Sequence, residues 1–232
     1  MPETKTEKET IVISLGGSIV VPDLPNGEFV KAFKEIILHF VEKGKKFVII
    51  VGGGKTCRRY NEALSNATEV INEDLDWLGI YTTRLNAELV RLSFGKKAAD
   101  RILIDPSIIK DFNDDVVIGA GWKPGNSTDA VGIMIAKELG TKKVVNISNI
   151  DYIYDSDPKI NEDAKKFENI SWAEYRSFIS SVWKPGMNTP FDPIASEKAE
   201  EGGIEVAFMS GHNLESLENY LKGEHFVGTI IK

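Results

Sequence analysis

FVIIVGGGKT (residues 47–56) sets an apolar run rich in β-branched residues directly against three glycines, a lysine and a threonine. Such a run bounded by glycine reads as a buried strand that ends in a tight turn. Gly54, Lys55 and Thr56 match the close of a Walker A loop, but GxxxxGK[ST] needs a further glycine where this chain has Ile49, inside the strand. A P-loop is therefore excluded. What remains is a strand end at Gly52, Gly53 and Gly54, where the absence of Cβ lets backbone N–H groups approach an anion ahead of a helix N-terminus. The plainer alternative is a strand-to-helix turn with no ligand.

Outward from this stretch the same arrangement recurs. IVISL (11–15) ends in Gly16-Gly17-Ser18, and Phe29, Val30, Phe33, Ile36, Ile37, Phe40 and Val41 then follow at helical spacing up to Gly44. Further strands are expected in RILI (101–104), VVIG (116–119), KVVNIS (143–148), EVAFM (205–209) and FVGTII (226–231). Helices are expected over 73–94, 171–180, 193–201 and 214–223, and Ser127 or Thr128 can cap another running through DAVGIMIAKELG (129–140). Apolar strands alternating with helices imply an α/β chain with a mainly parallel central sheet covered on both faces. No repeat, low-complexity tract or linker interrupts it, so residues 1–232 read as a single domain.

Composition narrows the function. The formal charge is −7 and no long Lys/Arg run offers phosphate contacts, which argues against a nucleic-acid partner. Cys57 is the single cysteine, so no internal disulfide forms, and His39, His212 and His225 are too scattered to suggest zinc. The polar start MPETKTEKET lacks the apolar segment of a signal peptide, and no apolar run reaches the roughly 20 residues that span a bilayer. A cytoplasmic protein without membrane contact is expected. Ligands of such sheets gather at the carboxyl ends of strands. Three loops should meet there: GGS (16–18), GGGK (52–55) and GAGWKPGNSTDA (119–130). Together they point to a phosphate-bearing ligand.

The ordered set ISLGGSIV (13–20), VIIVGGGKTCRRYNEA (48–63), DWLGIYTTRLNA (76–87), PGNSTDAVGIMIA (124–136) and SNIDYIYDSDPK (148–159) resembles the amino acid kinase superfamily, within it the archaeal type of uridylate kinase. The resemblance spans nearly the whole chain. Relatives that phosphorylate isopentenyl phosphate carry a histidine in the second glycine loop; Lys55 and Thr56 stand after the glycines here, which favours UMP.

The resemblance implies a three-layer αβα sandwich that transfers the γ-phosphoryl of ATP to UMP with Mg²⁺, giving UDP and ADP, in a homohexamer. The part at about 10–140 would hold the acceptor, and the part at about 141–232 would hold ATP. On the ATP side it implies Ser14, Leu15, Gly16, Gly17, Ser18, Gly54, Arg58, Ser148, Tyr154 and Asp157, with residues 16–18 lining the transferred phosphate. On the UMP side it implies Gly53 at the phosphate, Asp76 at the ribose, and the loop Gly121, Trp122, Lys123, Pro124, Gly125, Asn126, Ser127 and Thr128 around the nucleotide. Asp129 would orient a lysine or a metal-bound water, or else cap its helix.

Phosphoryl transfer needs alignment and charge stabilisation more than a covalent nucleophile. Ser14 stands where many superfamily members place a phosphate-binding lysine, as in the archaeal branch, and Lys55 is the substitute candidate, with a loss of about 10² in kcat expected for Lys55→Ala. WKPGMNTPFDP (183–193) reads either as a donor-side loop bringing Lys184 to ATP or as a proline-rich connection. The helix from Glu28 to Lys43 carries a broad apolar stripe that could serve as a subunit contact or be wholly used by the sheet. Two other functions stay open: a kinase for another small phosphate or carboxylate, since fold does not fix substrate, and a non-catalytic nucleotide sensor.

Overall fold

The computed structural model describes residues 8–110, 112–158, 160–179 and 189–232. The chain begins with β1 (Thr10–Leu15), the short α1 (Gly17–Val20) and α2 (Gly27–Glu42), then β2 (Lys46–Val51), α3 (Gly54–Ala67) and α4 (Asn72–Phe94). β3 (Val116–Gly119), α5 (Thr128–Glu138) and β4 (Lys143–Ser148) follow, and a small hairpin of β5 (Ile153–Tyr154) and β6 (Lys166–Phe167) stands beside the main sheet. The chain closes with β7 (Asn169–Ile170), α6 (Trp172–Phe178), α7 (Pro193–Gly202), β8 (Glu205–Ser210), α8 (Leu214–Lys222) and β9 (Thr229–Ile231).

The sheet runs β3-β2-β1-β4-β8-β9-β7, parallel except where β9 pairs antiparallel with β8. The period of two along a strand separates the layers. Ile11, Ile13 and Leu15 of β1 and Phe47, Ile49 and Val51 of β2 face the core beneath α2, α4 and α8. Val12, Val48, Ile50 and Val117 face the opposite core, which α5, α6 and α7 cover. This is the expected three-layer αβα arrangement, and it turns Ser14 toward α5.

Three expected features differ. RILI (101–104) forms no strand: Leu103 alone bridges to Gly119, because the run is cut between a bend at Asp100–Arg101 and Asp105-Pro106, where the Asp105 side chain caps a tight turn. The helix proposed as a subunit contact, α2, spends its apolar stripe internally, with Phe29, Val30, Phe33, Ile37, Phe40 and Val41 all buried. FVGTII contributes only Thr229–Ile231 to the sheet.

Candidate active site

A cavity of about 680 Å³ opens at the carboxyl ends of β1, β2, β3 and β4. Its wall is made by two backbone turns in direct contact. A Cβ on Gly17 would lie 2.1 Å from the Gly54 nitrogen, and Gly54 itself has φ +64, so only glycine fits this junction. The amides of Gly17, Ser18, Gly53 and Gly54 have no hydrogen-bond partner among the described residues, and all four residues line the cavity. Unpaired amides at two helix starts are donors of the kind that can hold an anion.

Helix α4 holds two of the loops that line the cavity. Asn86 Nδ2 donates to the carbonyls of Gly52 and Gly53 at 2.9 and 3.0 Å. Thr83 Oγ1 accepts from the Gly121 amide at 2.8 Å while donating to the Ile80 carbonyl. Two turns earlier, Asp76 Oδ2 accepts from the Gly125 amide at 2.8 Å. Desolvation holds the Asp76 carboxyl above its ordinary pKa. Because residues seven and ten positions apart share a helix face, one helix fixes two loops, the longer of them at two points.

At the far side of the glycine wall lies a buried acidic pair. Asp129, one residue into α5, accepts from Ser14 Oγ at 2.6 Å and from Asn146 Nδ2 at 2.9 Å, so it bridges the two central strands rather than capping its helix. Ser127 is the cap, accepting from the Ala130 amide, and its hydroxyl donates to Asp192. Asp192 in turn caps α7 through the amides of Ile194 and Ala195. Tyr175 fixes the preceding residue by accepting from the Phe191 amide and donating to its carbonyl. Desolvation, then the neighbouring Asp192 carboxylate, pushes Asp129 up to about 7, and burial also raises Asp192. Two like charges held together in low dielectric disfavour double ionisation.

Of the residues proposed from sequence, Gly16, Gly17, Ser18, Gly53, Gly54, Arg58, Asp76, Gly121, Asn126, Ser127, Thr128, Asp129, Ser148, Tyr154 and Asp157 meet in this cavity. Others do not reach it. Ser14 acts behind it through Asp129, and Leu15 is a core side chain. Lys55 pairs with Asp23 at 2.7 Å, beside Arg59, outside the cavity. Trp122 packs on the second core with Lys123 over its ring, and Lys123, Pro124 and Gly125 stay outside the lining. Lys184 lies outside the described residues. Sequence reasoning missed Asp192, Asn146, Thr83, Asn86 and Asn61; only Asp192 carried a local signal, as an Asp-Pro helix start.

The raised Asp129 carries a stability consequence. Its folded pKa of about 7 exceeds the ordinary carboxyl value of 3.8, so the native state binds the extra proton between these limits and stability falls as pH rises through that window. Asp129→Asn keeps the acceptor oxygen for Ser14 and removes the charge. Its melting temperature should exceed that of the unsubstituted protein by the most above about pH 7, with the gap narrowing toward pH 4. Thermal melts across that range check this; a lower melting temperature for the variant at pH 8 would contradict it.

Among the described residues, no helix is long and apolar enough to cross a membrane. The sequence model of the amino acid kinase family matches residues 9–210. The uridylate kinase of Methanospirillum hungatei is 34% identical over 227 residues, covering 96% of this chain and 94% of its own. That of Pyrococcus abyssi is 33% identical over 226 residues, covering 93% and 96%. Among solved structures, uridylate kinase from Archaeoglobus fulgidus superimposes with a TM-score of 0.80 at 29% identity, covering 96% of this chain and 99% of its own. UMP kinase from Bacillus anthracis, at 18% identity and a TM-score of 0.77, shares the fold. With the glycine-walled cavity on an αβα sandwich, the family match over most of the chain and these identities, the chain belongs to the amino acid kinase family.

Proposed function

We propose that this protein is a uridylate kinase, transferring the γ-phosphoryl of ATP to a phosphate oxygen of UMP to give UDP and ADP, in the cytoplasm. The observation that carries this reading is the pair of touching glycine turns whose unpaired amides face one cavity reached from both halves of the chain. The α3–α4 side, within about 10–140, is assigned to the acceptor. The side with Ser148, Tyr154 and Asp157, within about 141–232, is assigned to ATP. Relatives named uridylate kinase at 33–34% identity support the same substrate.

The amides of residues 17, 18, 53 and 54 would hold the transferring and acceptor phosphates at van der Waals separation, which supplies alignment without reorganisation. Among the described residues no cluster of His, Cys, Asp or Glu could hold a metal by itself. Asp129 and Asp192 suit a Mg²⁺ that arrives on the nucleotide phosphates and keeps several waters. When bound, the ion neutralises charge on the β- and γ-phosphates. A coupled ADP-release assay with ATP and Mg²⁺ against UMP, CMP, AMP, isopentenyl phosphate, aspartate and glutamate tests the assignment. UMP should have the highest kcat/KM, by about 10² or more over AMP because the larger base is rejected sterically and leaves polar groups unpaired. Equal turnover of AMP, or turnover of isopentenyl phosphate alone, would replace the reading.

Lys55 no longer suits the catalytic cation. Arg58 is the cationic side chain among the described residues that lines the cavity, and it makes no hydrogen bond or ion pair there. Arg58→Ala should lower kcat/KM for UMP by roughly 10², the scale of one lost oxyanion-type donor. Lys55→Ala breaks only an exposed ion pair and should stay within about threefold. Steady-state kinetics of the two variants decide between them.

Self-association as a homohexamer rests on the family resemblance, and the contact is reassigned to α4. Its outward face shows Tyr81, Leu85 and Leu92 at 61, 67 and 62% exposure, with Leu89 less exposed between them and Trp77 one turn before them. A second copy crossing this stripe would cover it by two-fold symmetry. Light scattering at micromolar concentration should report an oligomer, and Leu85→Glu with Leu92→Glu should shift it toward monomer; a monomeric parent chain would reject the proposal.

A further inference from the structure

The hairpin of β5 and β6 brings Tyr154, Asp155, Ser156 and Asp157 to the cavity. Each of its strands is two residues long, pairing Ile153 with Phe167 and Tyr154 with Lys166, and a ladder of that size does not hold itself in water. Bonds within the turn, such as Asp155 Oδ1 accepting from the Lys165 amide at 2.9 Å, shape the hairpin without orienting it against the sheet. Ile153 packs into the second core, a contact that has no direction of its own. The Ile230 amide donates to the Glu168 carbonyl at 2.9 Å and fixes where the chain leaves the hairpin. Thr229, the first residue of β9 and fully buried beside Phe208 of β8, reaches both strands. Its Oγ1 accepts from the Ile153 amide at 2.9 Å and donates to the Phe167 carbonyl. A hydroxyl is donor and acceptor at once, so one side chain of the main sheet clasps the hairpin from both sides.

Both partners of Thr229 stand next to a side chain on the cavity wall. Ile153 precedes Tyr154, and the Phe167 ring stacks on Phe178 of α6 with centroids 5.6 Å apart and planes 19° from parallel. Tyr154 and Phe178 give that wall two aromatic side chains, which suit a flat base. We infer that Thr229 is a positioning residue for the nucleotide donor: its hydroxyl sets the place of Tyr154 and, through Phe167, of Phe178, while Thr229 itself lies outside the cavity lining. The inference rests on the proposed assignment of this side of the cavity to ATP and adds the group that holds it in place. Without the hydroxyl, the Ile153 amide and the Phe167 carbonyl lose a buried partner, and the hairpin relieves that loss by shifting away from β9. The donor side then loses its preorganisation. The side assigned to the acceptor, held by Thr83 and Asn86 of α4, keeps it.

The test measures binding of a non-hydrolysable ATP analogue with Mg²⁺, and of UMP, by calorimetry, with steady-state kinetics alongside. It compares the unsubstituted full-length protein with Thr229→Val, Thr229→Ala and Thr229→Ser. Thr229→Val should weaken analogue binding and raise KM for ATP about tenfold, with UMP binding and kcat at saturating ATP within about twofold. Thr229→Ala, the second variant without the hydroxyl, should behave alike and carries the test if the valine variant does not fold. Thr229→Ser keeps both hydrogen bonds and should stay within about threefold of the unsubstituted protein. A merely structural hydroxyl would lower the melting temperature of the valine and alanine variants and leave both affinities unchanged, and that result overturns the inference. Equal weakening of both ligands overturns it too, as does weakening of UMP alone, which would also exchange the two sides. An unsubstituted protein that binds the analogue without phosphorylating UMP removes the functional proposal, and the binding comparison still decides the positioning role. One that binds no analogue removes both.

Discussion

The contact between the turns after β1 and β2 leaves no room for a side chain: Gly17 lies against the backbone of Gly52 and Gly54, and the Gly16 amide donates to the Ile147 carbonyl at the end of β4. Three adjacent parallel strands are thereby forced to end at one level. Parallel pairing from Thr10–Lys46 to Leu15–Val51 holds that level, since a slip of one residue would turn every buried Val and Ile toward the wrong layer. The helix starts that follow inherit the position. Their free amides converge because the strands beneath them cannot stagger.

Helix α4 links this junction to the rest of the molecule. Its inner face carries Thr83 and Asn86, which hold the turns, while Ala87, Val90 and Phe94 enter the core. Its outer face is apolar and exposed. On the other side of the sheet, Ser14, Asn146, Ser127, Asp129 and Asp192 form a polar chain that ties β1, β4, α5 and α7 together. Burying two carboxylates costs stability, which fits the cation-carrying ligand proposed for the cavity beside them.

The layers were legible because β-branched runs and helical apolar spacing are local properties. The runs at 11–15, 47–51, 116–119 and 143–148 all became strands. RILI (101–104) forms only the Leu103 bridge, since an apolar run says nothing about whether a sheet edge is free to pair with it. At the site, the glycine turns were visible, but facing was not. Lys55 follows Gly54 by one residue, about 100° around the helix from the face shared by Gly54, Cys57, Arg58 and Asn61, and so it meets Asp23 instead of the cavity. Trp122 is carried by its loop into the second core. The partners of Asp129 and Asp192 lie 115 and 65 positions away, a separation that no local pattern encodes.

Helix α3, one wall of the cavity, contains no buried residue, and its mean polarity is high for a helix of 14 residues. It is joined to the molecule by the glycine turn, by α4 and by the Asp23 ion pairs, none of which contributes much apolar burial. Isolated helices of this length are marginal in water. Its amides therefore belong to the first part of the native protein to open, with a local opening free energy well below that of the strands beneath. A ligand filling the cavity would add the missing contacts on its underside, so occupancy and the folding of this segment become a single linked equilibrium.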